Sequence, residues 1–220
     1  MKINQPAQQQ NAIEARLKEL EFLRNKLTGN PNRPCPECNR ACPTCGSTQC
    51  RCRCSASCLD APAKLSSESG RYPIEPAVLP LVYAMSDMQI CEPCWSCEGH
   101  PQLNDKNKAA LPEFKEEELT ISKIPQVWFY CDSVLTLRLF DECLNFFKIQ
   151  KLIHYDWHIT TSFSDLDCIE CAFALKPELN LEPSPSLQKL QADLSLIAEK
   201  IQETFLDKVN QHYARLTKLI

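Results

Sequence analysis

The sequence predicts an α+β protein: a small two-layer α/β domain, a cysteine-rich metal-binding module and long flanking helices. Three observations carry that expectation. Apolar residues recur at helical spacing near both ends of the chain. Short alternating strand patterns and one amphipathic helix lie between them. Residues 33–58, "RPCPECNRACPTCGSTQCRCRCSASC", hold eight cysteines in 26 positions with almost no other apolar side chain.

The chain divides accordingly into a helix (1–30), the cysteine-rich module (31–60), a linker (61–75), the α/β domain (76–182) and a long carboxy-terminal helix (183–220). Ile13, Leu17, Leu20, Leu23 and Leu27 are spaced by three and four, which predicts an amphipathic helix over about 9–28 that Gly29 ends. "PAVLPLVYAMSDMQI" reads as a short buried helix with its prolines near the start. "QVWFYC" is expected to be the first strand of the sheet. A helix from about Ser133 to Gln150 follows, and "IHYDWHITTSF" and "CAFALKP" are further strands. The acidic "FKEEE" segment reads as a solvated loop. In the last helix Ser184 is expected to cap and Pro185 to open the first turn. Leu187, Leu190, Leu194, Ile197 and Ile201 form its stripe, which drifts to Phe205, Val209, Tyr213, Leu216 and Ile220. Such a helix outruns a domain of this size. Its surplus is expected to meet the amino-terminal helix or a second copy, so a protein partner or a homodimer through the terminal helices is implied.

Composition narrows the function classes. The net charge of −4 hides a basic head: residues 1–60 carry nine Lys/Arg against five Asp/Glu, and the rest fifteen against twenty-three. Only four glycines occur and neither G-x-G-x-x-G nor G-x-x-x-x-G-K is present, so a phosphate-cradling nucleotide site is not expected. No stretch approaches the roughly 18 apolar residues of a membrane span, and the polar amino terminus lacks an apolar leader core. A cytoplasmic protein without membrane contact is expected. In that reducing compartment dense cysteines bind metal or do redox chemistry rather than form disulfides.

The cysteine-rich segment has no material for a hydrophobic core, so ligation must hold it. Its spacing is Cys35-x2-Cys38-x3-Cys42-x2-Cys45-x4-Cys50-x-Cys52-x-Cys54-x3-Cys58. A C-x2-C pair grips one ion while the turn between points its amides at sulfur, and "CPTCG" supplies a proline and a glycine for that turn. Over these residues alone the segment resembles the knuckles of zinc-ribbon proteins, which implies structural zinc. Eight thiolates satisfy two tetrahedral zinc ions, and Arg33, Arg40, Arg51 and Arg53 offset the residual charge. "CRCRC" leaves copper(I) or shared-thiolate clusters as alternatives. Cys38-x3-Cys42-x2-Cys45 is similar to the iron–sulfur spacing of radical S-adenosylmethionine enzymes, whose large barrel this chain lacks. With no aromatic platform in residues 31–60, nucleic acid is not the expected partner. Protein docking or scaffolding is.

A second constellation, "ICEPCWSCEGH", sets Cys91, Cys94, Cys97 and His100 at equal spacing. All four are candidate metal ligands, and Cys168 and Cys171 could complete a site with Cys94 and Cys97. Alternatively Gly99 makes a tight turn that presents Cys97, Glu98 and His100 as catalytic candidates, a thiol with its base. His154 and His158 around Asp156 are weaker candidates for the same cleft. Cys131 and Cys143 fall on apolar faces and read as core residues. The leading expectation is a zinc-binding protein holding two or more ions; an enzyme at Cys97 and His100, and metal storage or delivery, are the alternatives.

Overall fold

The computed structural model describes residues 6–28, 74–101, 121–162, 172–179 and 185–219, with side chains from residue 10 onward. The eight-cysteine segment, "FKEEE", Cys168, Cys171 and Ser184 lie outside the described residues.

Helix α1 (Pro6–Thr28) precedes the domain and α2 (Leu79–Met88) opens it. Strand β1 (Glu92–Cys97), the short pair β2 (His100–Pro101) and β3 (Ile121–Lys123), and β4 (Gln126–Tyr130) come next. Helix α3 (Val134–Ile149), strands β5 (Asp156–Ser162) and β6 (Ala172–Glu178), and the 30-residue helix α4 (Leu187–Leu216) complete the order. Four strands form one sheet in the order β1-β4-β6-β5, each neighbouring pair antiparallel; β2 and β3 form a separate ribbon. This is an α+β architecture. Strand β1 is the first strand of the sheet, ahead of "QVWFYC", and a bulge at Pro93 and Cys94 interrupts its register with β4.

The alternation of "QVWFYC" sends Val127 and Phe129 into the core and Trp128 and Tyr130 to the other face, as period two requires. Phe129 stacks on Phe140 of α3 with ring centres 6.0 Å apart, and Phe140 meets Phe205 of α4 edge-on at 6.4 Å. One aromatic column thus links sheet, α3 and α4. Ser133 caps α3 by accepting from the Thr136 amide. Helix α4 begins two residues later than its prolines suggest. Ser186, not Ser184, is the cap, because its side chain accepts from the Lys189 amide while Pro185 stays outside the helix.

Helix α4 buries Leu190, Leu194, Ile197, Ile201, Phe205 and Val209 along one stripe. Helices α1, α2 and α3 all pack on it. Leu20, Leu23 and Leu27 of α1 are buried in the same core, and Arg24 lies over the Tyr213 ring at 5.8 Å. The surplus length of α4 therefore meets α1 of its own chain.

One polar residue breaks the stripe. Asp193, 1% exposed, accepts from the His154 amide at 2.8 Å, the Tyr155 amide at 3.0 Å and Trp157 Nε1 at 3.1 Å, and lies 2.7 Å from His154 Nδ1. A buried carboxylate is tolerable only when its lone pairs are filled in this way. A second tie joins α3 to α4 where His212 Nε2 lies 2.7 Å from Glu142.

Asp193→Ala should strand two backbone amides and an indole N–H, costing about 3 kcal/mol; urea denaturation should show a lower midpoint at unchanged slope. Glu142 behaves differently. Burial would push its carboxyl up, but the hydrogen bond and charge of His212, with Arg138, outweigh it and hold the carboxyl below its ordinary value. Its contribution is therefore complete above the ordinary carboxylate pKa and lost as pH falls through the lowered one. Thermal melts between pH 6 and pH 3 (about) should show an acid loss of stability that is smaller in Glu142→Gln.

Candidate metal centre

The site is built where β1 leaves the sheet. Cys97 is the last residue of β1 and His100 the first of β2, so the Glu98–Gly99 turn sets how the two side chains meet. Gly99 has φ +85°, and a Cβ there would fall 2.8 Å from both Leu187 and Pro125. Only glycine accepts that backbone against those neighbours. The Gln191 side-chain amide of α4 donates to the Glu98 carbonyl at 3.2 Å, which fixes the turn from behind.

Two glutamates then close a reciprocal clamp. The Glu98 amide donates to Glu75 Oε2 at 2.7 Å, and the Ala77 amide donates to Glu98 Oε2 at 2.7 Å. With Oε2 held, Glu75 directs Oε1 to His100 Nε2 at 2.9 Å. The Gly99 amide donates to Cys97 Sγ at 3.4 Å. Ligand atoms of Glu75, Cys97 and His100 all lie within 4.8 Å of one another.

Carboxylate, thiolate and imidazole are all zinc ligands. A tetrahedral ion with bonds of about 2.0–2.3 Å separates ligand atoms by roughly 3.3–3.8 Å. The set would thus close on an ion through movements of about 1 Å, with His100 and Glu75 parting slightly. The Glu98 amide is the kind of outer hydrogen bond that orients a ligating carboxylate.

Burial pushes the Cys97 thiol up; the Gly99 amide and the Lys123 charge act against that, while the Glu75 and Glu98 charges add to it. This is the opposite of an activated nucleophile, which needs a lowered thiol pKa. Glu98 has its carboxylate engaged by Ala77, so its role is to hold the turn. The catalytic trio of Cys97, Glu98 and His100 is therefore adjacent in space, but its carboxylate is committed elsewhere.

The other sequence candidates are dispersed. Cys91 precedes β1, Cys94 sits in its bulge and Cys97 ends it, so the three thiols do not converge. Cys91 is buried, with its thiol donating to the Met85 carbonyl at 3.7 Å, and burial raises its pKa. Cys94 is exposed at the bulge beside Tyr130. Neither joins Cys97 and His100. His154 precedes β5 and binds Asp193, Asp156 pairs with Lys148, and His158 Nδ1 is buried without a hydrogen-bond partner among the described residues. These three do not share a cleft with Cys97. Cys143 is buried in the core, its thiol pushed up to about 12 by burial, and half-buried Cys131 donates to the Ser133 carbonyl at 3.4 Å.

Glu75 is the residue that sequence reasoning missed. It stands 22 positions before Cys97 at the end of the segment read as linker, and no ligand spacing marks it. Comparison with protein-family models, curated proteins and solved structures finds no match for the chain.

Gly99→Ala should cost about 1–3 kcal/mol through strain at the turn. A denaturation midpoint would show the loss, and adding Leu187→Ala should restore only part of it, since Pro125 and the positive φ remain.

Proposed function

We propose that this is a zinc-binding protein in which the α+β domain holds one zinc ion at Glu75, Cys97 and His100. On this reading the eight cysteines from Cys35 to Cys58 hold two more ions and form a structural module used to dock a protein partner in the cytoplasm. The observation that carries the domain site is the convergence of three zinc-type donors within 4.8 Å, drawn from two separate parts of the chain. The clamp between Glu75 and Glu98 supports it, because it holds a carboxylate on His100 that a surface glutamate would have no reason to keep there. The dense thiols of the module, set in a segment without core residues, support the other two ions.

Elemental analysis of the full chain should give about three zinc ions, two of them from the eight-thiolate arithmetic. His100→Ala should release one equivalent and leave two. A chain with Cys35, Cys38, Cys42 and Cys45 all changed to serine should lose from the other set and keep the domain ion. Zinc content unchanged in His100→Ala and in Glu75→Gln would show that Glu75 and His100 form a simple ion pair.

A further inference from the structure

We infer that Glu75, Cys97 and His100 form an open coordination site whose remaining position takes a small anion, held in part by Lys123. The inference rests on the zinc reading above and adds to it the class of ligand that completes the ion.

Ligand count comes first. Among the described residues no fourth histidine, cysteine, aspartate or glutamate joins the set. Glu98, adjacent in sequence, has its carboxylate turned to the Ala77 amide. Zinc held by three protein ligands keeps its fourth position for water or an added ligand.

Exposure is asymmetric around the set. Cys97 is 4% exposed, whereas the side chains of Glu75 and His100 are 32% and 40% exposed. The thiol forms the floor and solvent reaches the ion over the other two ligands.

Charge then selects the ligand. A carboxylate and a thiolate cancel the two positive charges of zinc, and a neutral imidazole leaves the centre at zero. Lys123 adds a positive charge beside it. Lys123 is the direct antiparallel partner of His100 in the β2–β3 ribbon, so the two side chains project to the same face. Ser122 steadies the ribbon by donating to the His100 carbonyl at 3.1 Å. Lys123 is exposed and makes no ion pair among the described residues. A neutral centre with an ammonium on the face of His100, unpaired among the described residues, favours a monodentate anion such as a carboxylate, in contact with both zinc and Lys123.

The test uses the full chain loaded with cobalt(II), with azide as the probe. His100→Ala and Glu75→Gln chains serve as blanks, so the difference spectrum isolates the domain site from the thiolate-rich segment. Azide should shift the difference bands at low ionic strength. Lys123→Gln should bind the same cobalt but require about fivefold more azide, the scale of one exposed ion pair. A difference spectrum that ignores azide would overturn the open site while leaving the zinc reading intact. Azide affinity unchanged in Lys123→Gln would overturn the role of Lys123. No difference spectrum in either comparison would overturn both the inference and the metal reading beneath it.

Discussion

A single carboxylate without access to water sets the arrangement of this domain. Asp193 lies on the apolar stripe of α4, and the His154 and Tyr155 amides, the Trp157 indole and the His154 ring gather on it. An unpaired charge at that depth would be prohibitive, so the entry to β5 has one acceptable position along α4. That position places Trp157 in the core and, through the ladder with β6, registers the rest of the sheet. Apolar contacts along α4 are non-directional, whereas the hydrogen bonds to the carboxylate are directional and fix one position.

The metal centre inherits its geometry from the same helix. Leu187 and Pro125 crowd the Cα of Gly99 while Gln191 holds the Glu98 carbonyl. The turn between Cys97 and His100 is thus shaped by a helix that contributes no ligand itself. Glu75 arrives from the amino-terminal side of α2 and is locked by the backbone of the turn. Ligand placement depends on α2 and on the Glu98–Gly99 turn, both held against α4, which makes the site a readout of the domain's folding.

The helices and three of the four sheet strands were legible because their signals are local. The stripe from Leu190 to Val209 and the alternation through Val127 and Phe129 repeat a period that burial imposes. Strand β1 was hidden by its own cysteines. A spacing of three residues suggested converging ligands, yet Cys91 precedes the strand and Cys94 is set apart by the bulge, and only Cys97 and His100 remained together. Asp193 was visible in principle, being three residues from Leu190 and four from Ile197, but the donors that justify its burial come from another part of the chain. Glu75 had no local signal. Its role follows from a hydrogen bond to an amide 23 residues away, and no periodicity encodes such a contact.

Strand β1 lies at one border of the four-stranded sheet, and its bulge has a consequence for the protein's behaviour in solution. An uninterrupted border strand offers a row of amides and carbonyls that a second chain can zip onto. Pro93 lacks an amide hydrogen, and the extra residue at Cys94 throws the following positions out of step with any straight partner. A neighbouring molecule would find too short an unbroken run to extend the sheet there. The same bulge that sets Cys94 apart from Cys97 therefore guards this border against edge-to-edge extension of the sheet.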